Sequence, residues 1–276
     1  MKIKPLILCS LLSVVGSAHA EPFWDVELGV ENDDNWNRAS QQRGKREDTI
    51  YQLGLKYGYS QGLSPLSGLL YSVSLERHQW RDYALLNNTE LTAGISYQKR
   101  LFASLRSPWV ALNGDVAYAR YRDAKRRASQ YEISADIGQY FNHWHYQASL
   151  GWRENSARAE AFSTEASYIT LGAGIKASNS LSLGVDIGFE SGDVVSSVGM
   201  LSPLLRPTAQ TRDDALGDLN WTAYRADGET WWNGFFMRYG WHGQHELSGA
   251  VQFYDSDVDG LNYRGKKLSL FYTRLF

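Results

Sequence analysis

Period-two alternation, repeated about twelve times along one chain, leaves few folds open. In Phe23–Asp33, Trp24, Val26, Leu28 and Val30 face one way and Asp25, Glu27 and Glu31 the other. Ile50–Ser60 repeats the pattern, with Tyr51, Leu53, Leu55, Tyr57 and Tyr59 against Gln52, Gly54, Lys56 and Gly58. The same reading places strands at Leu69–Trp80, Thr89–Gln98, Trp109–Tyr121, Gln130–Tyr140 and Trp144–Arg153. Further strands follow at Ser167–Lys176, Leu181–Glu190, Trp231–Trp241, Leu247–Tyr254 and Lys267–Phe276. Mean hydropathy is −0.41, and after the first 20 residues no run approaches 18 apolar residues, so helical membrane spans are excluded. Yet the chain carries 10 Trp and 17 Tyr, the amphipathic rings that gather at membrane interfaces. Strands of about ten residues, apolar on one face and polar on the other, suit a transmembrane β-barrel. All six prolines fall outside these strands, as a sheet without free edges requires.

The ends of the chain agree. Lys2 and Lys4 precede the apolar run Leu6–Val15, and Ala18-His19-Ala20 supplies a small-x-small cleavage pattern. Residues 1–20 are therefore expected to be a cleaved signal peptide, and residues 21–276 a single barrel domain. Cleavage removes Cys9, the one cysteine, so neither a disulfide nor a thiolate metal site is expected, and no metal or cofactor is implied. Without Lys2 and Lys4 the basic residues number 26 against 30 acids. The last ten residues, KLSLFYTRLF, put Leu268, Leu270, Tyr272 and Phe276 on one face. This ending resembles the C-terminal strand by which bacterial outer-membrane β-barrels are recognised during assembly. The resemblance implies an outer-membrane location, with Tyr272 and Phe276 as the assembly signal and the barrel-assembly machinery as a partner.

The expected fold is all-β, an up-and-down antiparallel barrel of twelve strands. Asp193–Glu229 is the irregular stretch, and Val194–Leu201 and Leu219–Arg225 would raise the count to fourteen if both were strands. Twelve is preferred because Val194–Leu201 has serines on both faces. Short connections near Gly62, Pro108, Asn142, Ser178 and Gly243 belong at the periplasmic end, and the longer ones outside.

Polar faces turn inward in such a barrel, so function should sit there. Ten inward acids, among them Glu76, Glu90, Asp115, Glu132, Asp136 and Asp186, outnumber five inward bases, among them Lys56, Arg153 and Arg238. Glu132 is expected opposite Arg153, Lys56 near Glu27, and Asp115 opposite Asp136. Either the charges cross-pair into a plug, or they line a narrow passive channel for small polar or cationic solutes, the preferred reading. One alternative is an enzyme acting on lipid or lipid A. Glu31-Asn32-Asp33-Asp34 resembles the acidic start of a lipid A deacylase barrel, without that family's other motifs. The outward positions bring no histidine to a serine, which argues against an enzyme. Another alternative is an export or assembly barrel, which resembles secretion-linked barrels of similar size. The outer loops are basic, with Arg38, Arg43, Lys45 and Arg46 in the first and Lys125, Arg126 and Arg127 in the third. There they are expected to face the phosphates of lipopolysaccharide. Nucleic acid is not indicated by a net acidic chain, and a monomer is expected.

Deleting Phe276 removes the terminal apolar position, and outer-membrane fractions should then lose the heat-modifiable band on electrophoresis. The full-length chain should show that band.

Overall fold

The computed structural model describes residues 21–40, 44–104, 106–203, 205–217 and 221–276. The expected signal peptide and Arg43 lie outside these residues. Thirteen strands form one antiparallel sheet: β1 Glu21–Asp33, β2 Asp48–Ser64, β3 Ser67–Trp80, β4 Asn88–Arg100, β5 Trp109–Tyr121, β6 Ala128–Tyr140 and β7 Trp144–Ala157, then β8 Thr164–Lys176, β9 Leu181–Val198, β10 Ala209–Arg212, β11 Thr222–Trp241, β12 His245–Val258 and β13 Leu261–Leu275. Twelve of them close the ring, because β1 pairs with β13 from Asp25↔Leu275 to Asp33↔Lys267 and β9 pairs with β11. The four-residue β10 is additional. Closure leaves the membrane-spanning backbone no unpaired edge, which hydrocarbon would not tolerate.

Alternation then sorts the side chains. Leu53, Val73, Leu91, Leu112, Ile133, Leu150, Leu171, Ile187 and Phe235 are exposed on the outer wall. Rings mark both borders of this apolar band: Trp24 against Tyr57 and Phe141 stacked on Trp144 at one end, Phe189 against Trp231 at the other.

The optional strands of the irregular stretch have a different fate from either expectation. Val194–Val198 prolongs β9, Thr222–Glu229 prolongs β11, and the two prolongations pair with each other, Val194↔Ala226 to Val198↔Thr222. Most strands are also longer than expected, running from 13 to 20 residues apart from β10. The gap between the expected strands Leu247–Tyr254 and Lys267–Phe276 contracts to Asp259-Gly260, both at positive φ, the two-residue turn that Asp-Gly favours.

Inside, large rings lie flat on glycines of the neighbouring strand. Phe23 covers Gly58, Phe271 covers Gly29, Trp109 covers Gly138, Tyr168 covers Gly151, Phe236 covers Gly184, Trp232 covers Gly188 and Tyr254 covers Gly265. Each ring and its glycine are directly opposite in the register, so the missing side chain supplies the room. This locks register from within, where a one-residue slip would set ring against side chain.

A Cβ on Gly188 would lie 2.1 Å from the Trp232 ring, whereas at Gly172, also on the inner face, the nearest atom is 3.8 Å away. Gly188→Ala should lower unfolding stability by about 1–3 kcal/mol through overpacking. Gly172→Ala should leave it within about 0.5 kcal/mol. Urea titration of the folded barrel in detergent measures both.

Candidate functional site: the lumen and its covered mouth

Alternation puts the charged residues of the sequence reading inside, and the topology distributes them unevenly. Strands β1 to β6 carry Asp25, Glu27, Glu31, Asp33, Asp48, Glu76, Glu90, Asp115, Glu132 and Asp136 on the inner face, with Lys56 and, at the short-link end of β4, Arg100 as the bases among them. The remaining strands carry Arg153, Lys176, Arg238 and Lys267 with Asp186, Glu190 and Glu246. The interior therefore has an acidic wall facing a mixed one.

Several expected pairings change partner. Glu132 is opposite Arg153 in register, but the Arg153 guanidinium reaches past β8, over the Tyr168 ring, to bond Glu190 on β9. Glu132 instead accepts the Tyr168 hydroxyl at 2.8 Å. Lys56 stands opposite Asp25 and one inward step from Glu27, near both. Asp115 stands opposite Glu132, while Asp136 accepts from Asn113 at 2.8 Å. Glu76 and Glu90 face each other across β3 and β4, with His78 Nε2 3.7 Å from Glu76. Gln52 lies between Glu27 and Glu76 and donates to each at 3.4 Å. Lys267 bridges Glu31 and Asp33. No ion pair joins Asp186 or Asp136 to a base among the described residues.

The resemblance to a deacylase start finds a structural use here. Asp33 accepts from the backbone N–H of Asn35 and from Tyr254, and Asp34 accepts the backbone N–H of Lys266. These acids fasten the first loop to β12 and β13.

The long-loop end is covered. Residues 34–40 reach across the ring to β9, where Asn37 donates to Ser197 O and Ser197 N donates to Asn37 O, both at 2.9 Å. Asn35 and Asn37 are buried, and their side-chain amides bond to backbone groups of loops and strand ends. Between β3 and β8, three connections each make one 3-10 turn, at Ala84–Leu86, Ala124–Arg126 and Glu160–Phe162. Backbone bonds tie each to the next: Asp123 N to Leu85 O, and Ala159 N to Lys125 O. A fourth such turn, Asp214–Leu216, lies in the segment between β9 and β11 and packs on the first.

That segment is latched by charge. Asp213, its side chain fully enclosed, accepts from Arg126 at 2.7 Å, and Arg126 lies 3.9 Å above the Phe162 ring. Lys125 meets Asp214 at 2.8 Å and donates to Arg212 O. Arg225 bonds Glu160 and Asp193. Arg46 stacks on Trp221, 4.8 Å from its centroid. Beside the latch, Val194, Tyr224, Ala226, Val258 and Tyr263 form a small apolar core with Leu201 and Leu205. Lys125, Arg126 and Arg46 are thus engaged within the mouth. Lys45 donates to Arg264 O, and Arg38 sits at φ 50° in the first loop. Arg127 alone of its triplet turns to the outer wall.

Sequence reasoning missed the latch entirely, since Arg126 and Asp213 are 87 residues apart and no local pattern links them. Tyr168 and the interior rings carried a signal, each being an aromatic residue on a polar face.

The closed twelve-strand ring with its polar interior is the fold of bacterial outer-membrane β-barrel proteins. No protein-family model matches the chain, and no curated protein matches it in sequence. Among solved structures, an outer-membrane channel of the COG4313 group from Pseudomonas putida F1 superposes with a TM-score of 0.62. Identity is 13%, and the match covers 94% of this chain and 96% of that one. The NanC porin aligns at 0.48 with 8% identity, over 91% of this chain and 98% of that chain, too loosely to carry weight. At such identities the likeness is one of fold.

Removing one partner from a buried ion pair costs about 3–5 kcal/mol. Asp213→Ala should therefore free the segment after β9, so that trypsin cleaves the folded protein after Arg206 or Arg212 at least tenfold faster. The barrel below should stay resistant.

Proposed function

We propose that the chain is a narrow passive channel of the outer membrane for small polar or cationic solutes, gated at its external mouth. The observation that carries this reading is the acidic wall on β1 to β6, where ten inward acids face the lumen with two bases among them, Lys56 and, at the short-link end, Arg100. Charges of one sign in a confined space with low-dielectric walls focus a field and concentrate counter-ions. A packed plug would pair its charges, as Arg153–Glu190 and Lys267–Glu31 do, but Asp136 and Asp186 join no base among the described residues. The long loops then lie outside and the links at 65–66, 141–143, 177–180 and 242–244 in the periplasm. The resemblance of the terminal strand supports delivery by the barrel-assembly machinery. That the neighbour with the same strand architecture is a channel favours this reading over a lipid-modifying enzyme or an export barrel.

Conductance in planar bilayers tests it. The wild-type protein should open rarely and prefer K⁺ to Cl⁻, and changing Glu76, Glu90, Asp115 and Asp136 together to their amides should lower that preference severalfold while folding persists. Absence of conductance in wild type and in the latch-free Asp213→Ala protein contradicts the channel.

A further inference from the structure

The charges of the external rim are not distributed at random. Six basic side chains there are ion-paired: Arg81 with Asp82, Lys125 and Arg212 with Asp214, Arg126 with Asp213, Arg225 with Glu160 and Asp193, Arg264 with Asp255. One sector differs. Arg120, Arg122, Arg127 and Arg158, at the upper ends of β5, β6 and β7, have no carboxylate partner among the described residues. Arg120, Arg122 and Arg158 are exposed, and Arg127 is half-buried because its Nε donates to Tyr121 O at 3.1 Å. That bond fixes the plane of the guanidinium while leaving its two terminal nitrogens for another acceptor.

Arg127 and Arg158 flank a shallow recess of about 290 Å³, and Tyr118, Ser129 and Ser156 supply hydroxyls to its lining. The register aligns these three outward positions in one row, Tyr118↔Ser129↔Ser156, and Arg158 N donates to Arg127 O above them. The next outward row down holds Val116, Tyr131 and Glu154, and Ile133 and Leu150 follow one and two rows further below; Val116, Tyr131, Ile133 and Leu150 are exposed. Glu154 and Glu165 are the nearest outward acids; they sit one step lower, on β7 and β8, and Glu165 accepts the Trp152 indole. The sector thus combines bidentate-capable cations, hydroxyl donors and an apolar wall beneath. A soluble anion needs only the first two, whereas an anionic lipid uses all three.

We propose that this recess on the outer rims of β5, β6 and β7 docks a phosphorylated lipid of the outer leaflet. Arg127 and Arg158 hold one phosphate, Arg120 and Arg122 stand within the same sector for a second, and the acyl chains lie along Val116, Ile133 and Leu150. The inference rests on the orientation given under the proposed function, with the long loops outward. It moves lipid recognition from the Lys125-Arg126 pair, which is engaged with the latch, to the outer wall.

The test uses purified, folded full-length barrel in detergent with EDTA, and three probes: diphosphoryl lipid A, dephosphorylated lipid A and inorganic phosphate. Native mass spectrometry and the shift in thermal unfolding read binding. Diphosphoryl lipid A should bind, and Arg127→Gln with Arg158→Gln should weaken it at least tenfold, while Arg264→Gln, at an exposed paired arginine on β13, should leave it unchanged. Dephosphorylated lipid A should bind at least tenfold more weakly than the diphosphoryl form. Arg158→Gln alone, at an exposed position, keeps the test open if the double variant folds poorly; a threefold or greater loss is expected. Wild-type affinity in the double or the single variant overturns the proposal, as does equal binding of the dephosphorylated lipid. Inorganic phosphate binding as tightly as the lipid also overturns it, in favour of a soluble anion. Bilayer conductance of the double variant should equal that of wild type, so loss of lipid binding and failure of the channel are read separately.

Discussion

The pairing of β1 with β13 is the interaction on which the rest depends. It turns a sheet into a ring, so every strand that crosses the hydrocarbon bonds to a neighbour on both sides. Once the ring is closed, alternation has only one consistent solution, with apolar side chains to lipid and polar ones inside. The ends of the chain are stitched at the same seam, since Phe276 N donates to Trp24 O at 2.9 Å. Deleting the terminal residue therefore touches the closure itself as well as any recognition of the strand.

A ring of twelve strands is too small to keep a wide bore, and its inner surface shows how the space is used. Rings packed on facing glycines, such as Trp232 on Gly188, narrow the wall while keeping neighbouring strands in register. Between them the acids of β1 to β6 remain, and long bases from the other side reach only some of them. Stability and electrostatics are thus divided between different residues. The same division holds at the mouth, where an apolar core around Tyr224 and Tyr263 supports the covering segment and ion pairs at Asp213 and Asp214 hold it down.

The membrane part of this architecture was legible in the sequence because lipid enforces the alternation residue by residue. Leu53, Leu55 and Tyr57 leave no doubt about the face of β2. Above the membrane that constraint lapses. Ser196 and Ser197 are adjacent, yet both are buried: Ser196 donates to Arg38 O, and Ser197 bonds Asn37 in the first loop. Serines on both faces hid a strand that continues β9. Register was legible across tight turns, as with Glu132 and Arg153, but side-chain choice was not, because an arginine can reach a second strand. Among the basic loop residues, charge alone could not tell Arg126, enclosed against Asp213, from Arg127, turned outward one residue later.

The central claim is an aqueous acidic passage stopped at its external end by the latched segment. Ser74 lies on the inner face between Lys56 and Thr92, at mid-height on the acidic wall, and after residue 20 the sequence contains no cysteine. The direct measurement is reaction of Ser74→Cys with a small cationic thiosulfonate, added from either side of an oriented bilayer. Reaction from the periplasmic side, with slow reaction from the external side that becomes fast when Asp213→Ala is added, is the predicted result. No reaction from either side, with the latch intact or removed, would mean a packed interior and contradict the account.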